Sequence, residues 1–241
     1  MSAFPREPPA DLDDLDTVAA HDWSEFQALS HVDTHWERPG WTSGRSSYHW
    51  MATFEDHPEV AEHVRRCRPS VPSAGYDLAA VDSVHLTIGR LAFTDDVSEA
   101  AAREVARSAR VVDSRPGSFD MAFGPLTGSR GAIRFSVAPW SPLLAVHAFL
   151  TGITRSALGE RCVMETATFR PHVSIAYAHA RMSIDAVVSR LGDGRGVVGP
   201  TVRVDTVGLV RLERVGRSYR YRSLERVPLP DIADAANSRA S

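Results

Sequence analysis

Ser83-Val84-His85-Leu86-Thr87-Ile88-Gly89 and Arg170-Pro171-His172-Val173-Ser174-Ile175 are the stretches whose reading decides the fold. Both are apolar runs with β-branched residues, which favour strands. Both carry His-x-Thr/Ser, and of the ten histidines only His85 and His172 begin that pattern. Residues i and i+2 of a strand point to the same face. Each motif therefore presents an imidazole beside a hydroxyl. On strict alternation, Ser83, His85, Thr87 and Gly89 share one face of the first strand, and Val84, Leu86 and Ile88 the other. On the second strand His172, Ser174, Ala176 and Ala178 oppose Val173, Ile175 and Tyr177. Two such strands facing across a cleft place two histidines and two hydroxyls around one point. That set suits phosphoryl chemistry, with one histidine taking a proton, the other giving one, and the hydroxyls holding phosphate oxygens. One copy of so short a pattern would mean nothing; two copies with matching face patterns carry the argument.

The flanking sequence fills in around these strands. Alternation predicts a strand over 46–54, and Pro58 at a first-turn position predicts a short helix over 57–67. Thr94, with Asp95, Asp96 and Glu99 behind it, predicts a helix over 94–112. Two strands are expected over 117–126 and 131–138, joined by a turn at 127–130. Ser141-Pro142 reads as the cap and first residue of a helix ended by Gly159. A short helix over 184–191 and a closing hairpin of 201–214 with 217–227 complete the chain. This order predicts an α+β class, with mostly antiparallel sheets and helices on their outer faces.

Bulk properties set limits. The chain has 241 residues, 43% of them hydrophobic and 24% charged, ordinary values for a soluble domain with a sizeable core. Residues 1–20 are acidic and proline-containing, and are expected to be disordered, with a single bilobal domain over 21–241. No basic start precedes an apolar core, and no apolar run nears the ~18 residues that span a bilayer, so a cytoplasmic location without membrane contact is expected. Cys67 and Cys162 have no metal-ligand spacing, which fits a reducing compartment. The net charge of −3 argues against general nucleic-acid binding, and all 27 basic residues are arginine, which excludes a lysine nucleophile or Schiff base.

The two motifs resemble those of the two-histidine (2H) phosphoesterase superfamily, in its 2′-5′ RNA ligase and cyclic phosphodiesterase-like branch. The resemblance rests on Val84-His85-Leu86-Thr87-Ile88 and on Arg170-Pro171-His172-Val173-Ser174-Ile175, with the strand over 48–54 and the hairpin over 202–229. The segment Trp36-Glu37-Arg38-Pro39-Gly40-Trp41 is similar to one in some bacterial members. The resemblance implies a bilobal 2H phosphoesterase-like fold, two mostly antiparallel sheets with outer helices around a central cleft. It implies hydrolysis or transfer at 2′,3′-cyclic or 2′-5′ phosphodiesters of RNA or nucleotides, with no metal and no cofactor. His85 and His172 would be the acid/base pair, and Thr87 and Ser174 the phosphate ligands. For opening a cyclic phosphate, His172 is taken as base and His85 as acid.

Other residues carry weaker signals. Arg170 precedes the second motif and Arg134 lies on the strand before the long helix; either could reach a phosphate, although most such arginines are solvated. Tyr177 follows Ser174 by three positions, with a parity that points away from the cleft. Trp36, Trp41 and Trp50 could stack a base, though core packing is the commoner use of tryptophan. His31, Asp33 and His35 alternate as metal ligands would, but no further ligand cluster accompanies them. His147 falls on the apolar face of its helix, as a core histidine would, and the arginines of the closing hairpin suit a solvated edge. Two alternatives to a phosphodiesterase stay open on sequence alone: a nucleotide- or RNA-binding module without turnover, and a cleft recruited for other acid/base chemistry.

Overall fold

A computed structural model describes residues 4, 7–37, 40–42 and 44–231. The remainder of the acidic N-terminus and part of the 36–41 segment, Arg38 and Pro39, lie outside the described residues. In chain order the elements are α1 (Leu15–Gln27), β1 (His31–Val32), β2 (Ser46–Thr53), α2 (Pro58–Cys67), β3 (Tyr76–Leu78), β4 (His85–Phe93), α3 (Glu99–Val111), β5 (Phe119–Ser129), β6 (Ala132–Ala138), α4 (Trp140–Leu158), β7 (Val173–Ala178), β8 (Met182–Ser183), α5 (Ile184–Gly192), β9 (Thr201–Val204), β10 (Thr206–Arg214) and β11 (Tyr219–Pro228). No helix among the described residues is long and apolar enough to cross a membrane.

Two sheets carry the motifs, one each. β11-β10-β2-β4 form a four-stranded sheet that holds His85 and Thr87, and β3-β7-β6-β5-β9 form a five-stranded sheet that holds Ser174. Every pairing is antiparallel. The expected strand over 201–214 is two strands that part at Asp205, β9 joining the five-stranded sheet and β10 the four-stranded one. One short segment thus ties the two sheets together. The core runs between sheets and helices: Trp50 is wholly buried against α4, where its indole N–H donates to the Thr154 hydroxyl at 3.2 Å. His63 of α2 packs on Phe135 of β6, ring centroids 4.6 Å apart.

The N-terminal segment departs from expectation. Disorder through residue 20 is overturned from Leu15 onward, because α1 is capped by Asp14, whose carboxylate accepts from the Thr17 N–H at 2.8 Å and the Thr17 hydroxyl at 2.6 Å. Val18, Ala19, Asp22 and Phe26 of α1 are buried. A Cβ at Gly128 would overlap the Phe26 ring, so glycine there permits the close approach of α1 to β5. Because α1 bonds Arg134, the cross-strand partner of Ser174, and Ser136 on the same face of β6, it covers the inner face of the five-stranded sheet, not an outer one. Just before it, Asp13 Oδ1 accepts from the Ser141 N–H at 2.8 Å and the Leu12 carbonyl from the Trp140 N–H at 2.8 Å. The N-terminus of α4 is therefore satisfied from a distant part of the chain, and Pro139, not Ser141, stands at its cap position. Likewise Ser98, not Thr94, caps α3, since the Thr94 hydroxyl is held by Ser46 at the end of β2.

Candidate active site

Both motif histidines are held by the same device. His85 Nδ1 lies 2.7 Å from the Ser83 carbonyl, and His172 Nδ1 lies 2.8 Å from the Arg170 carbonyl. A carbonyl only accepts, so Nδ1 carries the hydrogen in each ring and the titrating proton sits on Nε2. The two rings thus hold the same tautomer, each fixed by the backbone two residues earlier.

Both open onto one cavity of about 370 Å³ between the sheets, lined also by Thr87 and Ser174. Neither of these hydroxyls makes a hydrogen bond to a described residue, so each can donate to a ligand. Among the described residues the cavity wall holds four histidines, His35, His49, His85 and His172, one arginine, Arg90, and no carboxylate. Such a lining favours an anion. The Phe4 ring lies 4.6 Å from the His172 ring and also borders the cavity.

The face patterns contain bulges that strict alternation does not anticipate. Along β4, Thr53, Met51 and His49 of β2 pair with His85, Thr87 and Arg90, while Trp50 pairs with Gly89. Ile88 is an extra residue, so the cleft face runs His85, Thr87, Arg90 and Gly89 turns inward, where a Cβ would meet Met164. On β7, Arg134 pairs with Ser174 but Ile133 with Ala176, which leaves Ile175 as the extra residue. The inserted residue reverses the parity beyond it. Tyr177 consequently lines the cavity and Ala176 does not.

Of the remaining expected substrate contacts, two are corrected. Trp50 is a core residue, on the β2 face opposite His49. Arg134 is spent on structure: it is 2% exposed and forms a two-pronged pair with Asp22, both bonds 2.9 Å long. The Arg170 guanidinium donates to the carbonyls of Ala167 and Phe169 and is not part of the cavity lining; its contribution to the site is the carbonyl that holds His172. His31 and Asp33 pair at 3.3 Å, whereas His35 turns to the Tyr219 hydroxyl at 2.9 Å, so the alternating trio does not converge. His147 is the core histidine expected, bonded to Thr166 and stacked on Phe169, with burial lowering its pKa to about 4. The hairpin arginines are mostly paired, Arg217 with Asp77 and Arg222 with Glu99, while Arg214 enters an aromatic cluster with Trp36, Trp41 and Tyr219.

Electrostatics distinguish the histidines. Burial lowers the pKa of His85, and the bond to the Ser83 carbonyl partly opposes it. His49, whose Nε2 lies 2.8 Å from the Ser47 hydroxyl, is lowered to about 3 by burial and by the nearby Arg90 and His85. His49 is therefore neutral beside His85 at neutral pH. Its place in the cleft is available from the alternation of β2 opposite Trp50. That of Arg90 is not, because of the bulge at Ile88.

Two antiparallel sheets that each present a carbonyl-anchored histidine and a hydroxyl to one anion-favouring cleft define a two-histidine phosphoesterase type of protein. A family model of the 2′-5′ RNA ligase superfamily matches residues 56–216, and the chain belongs to that superfamily. Among solved structures, E. coli LigT complexed with 3′-AMP is similar at 17% identity and a TM-score of 0.58, over 78% of this chain and 99% of that one. E. coli LigT in apo form is similar at 18% identity and a TM-score of 0.56, over 78% and 100%. The Thermus thermophilus protein TT0787 is similar at 18% identity and a TM-score of 0.54, over 78% and 99%. At these identities the likeness is one of fold. No curated protein sequence matches the chain.

Proposed function

We propose that the protein is a metal-independent phosphodiesterase that opens 2′,3′-cyclic phosphates or cleaves, or reversibly forms, 2′-5′ phosphodiester bonds of nucleotides or RNA. The observation that carries this reading is the matched pair of histidines, each with Nδ1 on a backbone carbonyl and each beside a hydroxyl in one cavity. Superfamily membership and the complex of E. coli LigT with 3′-AMP support the substrate class.

In the proposed reaction a cyclic phosphate sits between the two rings, with Thr87 and Ser174 donating to its non-bridging oxygens. Water attacks phosphorus as His172 Nε2 takes its proton. The bond from phosphorus to one ribose oxygen breaks, and His85 Nε2–H gives that oxygen a proton. One water is consumed and a ribose monophosphate leaves. The reverse reaction exchanges the roles, so one pair of imidazoles serves both directions. The bound phosphate favours the imidazolium form of His85 that burial alone disfavours.

The test is a panel of 2′,3′-cyclic nucleotides and 2′-5′-linked dinucleotides incubated with excess chelator, the phosphate products being identified by ³¹P NMR. The proposal expects chelator-resistant turnover of at least one class. Binding of these compounds by folded protein with no product would favour the binding-module reading instead.

A further inference from the structure

Arg90 has no part in the reaction above, yet it lines the same cavity. It reaches the cleft face through the bulge at Ile88 and pairs across the ladder with His49. Its guanidinium stacks on Phe93, 4.3 Å from the ring centroid. Arg45 stacks on the same ring at 3.5 Å and shows what a structural arginine looks like here: it donates to Asp95 at 2.9 Å and to the Gly40 carbonyl at 2.6 Å. Among the described residues Arg90 has no hydrogen bond and no paired carboxylate, and no acidic side chain lines the cavity. A half-buried guanidinium retains five N–H donors and a full charge, so one held in a cleft without an acceptor is suited to an anionic ligand.

Its location narrows which anion. Along β2, His49 is two residues beyond Met51, so Arg90 stands roughly 7 Å farther along the cleft than Thr87. The aromatic rings gather toward the same side: Trp41 packs on Phe93 at 5.5 Å and on Tyr219 at 6.3 Å, and Tyr219 on Tyr177 at 5.2 Å. Trp41, Tyr177 and Tyr219 all border the cavity. Aromatic faces accept a base by stacking, whatever its identity.

We infer that Arg90 binds a second anionic group of the substrate, the 5′-phosphate of the nucleotide whose ribose phosphate lies between His85 and His172. The substrate class is then 5′-phosphorylated nucleotides, or oligonucleotides in which the next phosphate fills that place. This rests on the proposed reading of the two-histidine site.

Titration calorimetry tests it without needing turnover. Adenosine 3′-monophosphate and adenosine 3′,5′-bisphosphate are compared on wild type, Arg90→Gln and Arg90→Lys, each checked for unchanged thermal unfolding. Wild type should bind the bisphosphate about 10-fold or more tighter, the size of one charge-assisted contact. Arg90→Gln should bring that ratio toward one, and Arg90→Lys should keep part of it. Equal affinities in wild type, or a ratio untouched by Arg90→Gln, would overturn the inference. So would an equal loss for both ligands in Arg90→Gln, which would assign Arg90 to the reacting phosphate. The parallel kinetic ratio comes from adenosine 2′,3′-cyclic phosphate with and without a 5′-phosphate. If neither is turned over while the Arg90-dependent binding ratio holds, the catalytic reading fails and the second anion site stands.

Discussion

The buried pair of Asp22 and Arg134 makes the N-terminal helix part of the fold, and its loss should be costly. Asp22 is 3% exposed and Arg134 2% exposed, joined by two bonds of 2.9 Å, while the Ser136 hydroxyl donates to the same carboxylate at 2.6 Å. Burial by itself would raise the Asp22 pKa, but Arg134 and Ser136 outweigh it and hold the carboxyl below its ordinary range. Asp22→Ala strands a guanidinium whose Nε already lacks a partner among the described residues. Removing one member of a buried pair costs about 3–5 kcal/mol, a large share of the ~5–15 kcal/mol that stabilises a typical domain. Arg134→Met should cost somewhat less, since Asp22 keeps the Ser136 hydroxyl and can take up a proton. The double change Asp22→Ala with Arg134→Met should recover part of the loss, giving a coupling of about 2 kcal/mol or more. Urea unfolding near pH 7, followed by tryptophan fluorescence and circular dichroism, measures all three. A loss under about 1 kcal/mol for Asp22→Ala at an unchanged urea dependence, with additive single and double changes, would refute the reasoning. A lowered urea dependence would instead report that α1 has already left the native state.

Two further predictions concern protons. Burial lowers the His85 pKa, so in the free protein its ring should titrate below about 6.5 by NMR, and the pH profile of kcat/KM should contain a limb at that value which His85→Ala abolishes; a midpoint at or above about 6.5 would contradict the burial argument. His63 and His147 both have pKa values of about 4 because they are buried. The unfolded chain, with histidines near 6.5, binds more protons than the native one between about pH 6.5 and 4. Stability is therefore intact above that window and falls as pH drops through it, by up to about 1.4 kcal/mol per pH unit for each histidine. Denaturation at about pH 7 and about pH 5 checks the slope, which His63→Leu should reduce; a stability flat across the window would count against it.

The strand-borne part of the site is legible in the sequence because its signal is local. His85, Thr87, His172 and Ser174 are placed by i, i+2 spacing in or, for His172, immediately before a strand, and the structure brings all four to one cavity. What escapes such a reading depends on residues distant in sequence or on irregular backbone. Parity beyond Ser174 fails at the unpaired Ile175, so strict alternation puts Tyr177 on the wrong face, and the bulge at Ile88 hides Arg90 in the same way. Arg134 looks like a phosphate ligand because its partner Asp22 lies on a helix that begins in a segment expected to be disordered up to residue 20. That segment has the composition of a disordered tail, yet Asp13 caps α4 and Val18 and Phe26 are buried, contacts that only the folded sheet can supply. The division at Asp205 is likewise invisible, since β9 and β10 share one alternating pattern and differ only in which sheet receives them.

The central claim is that two histidines carry the reaction, and the most direct measurement is turnover of a 2′,3′-cyclic nucleotide by wild type, His85→Ala and His172→Ala. Thermal unfolding of each variant confirms that it is folded. The account predicts a loss of about 10²–10⁴-fold in kcat for each substitution. Turnover that persists at the wild-type rate in both folded variants would contradict it.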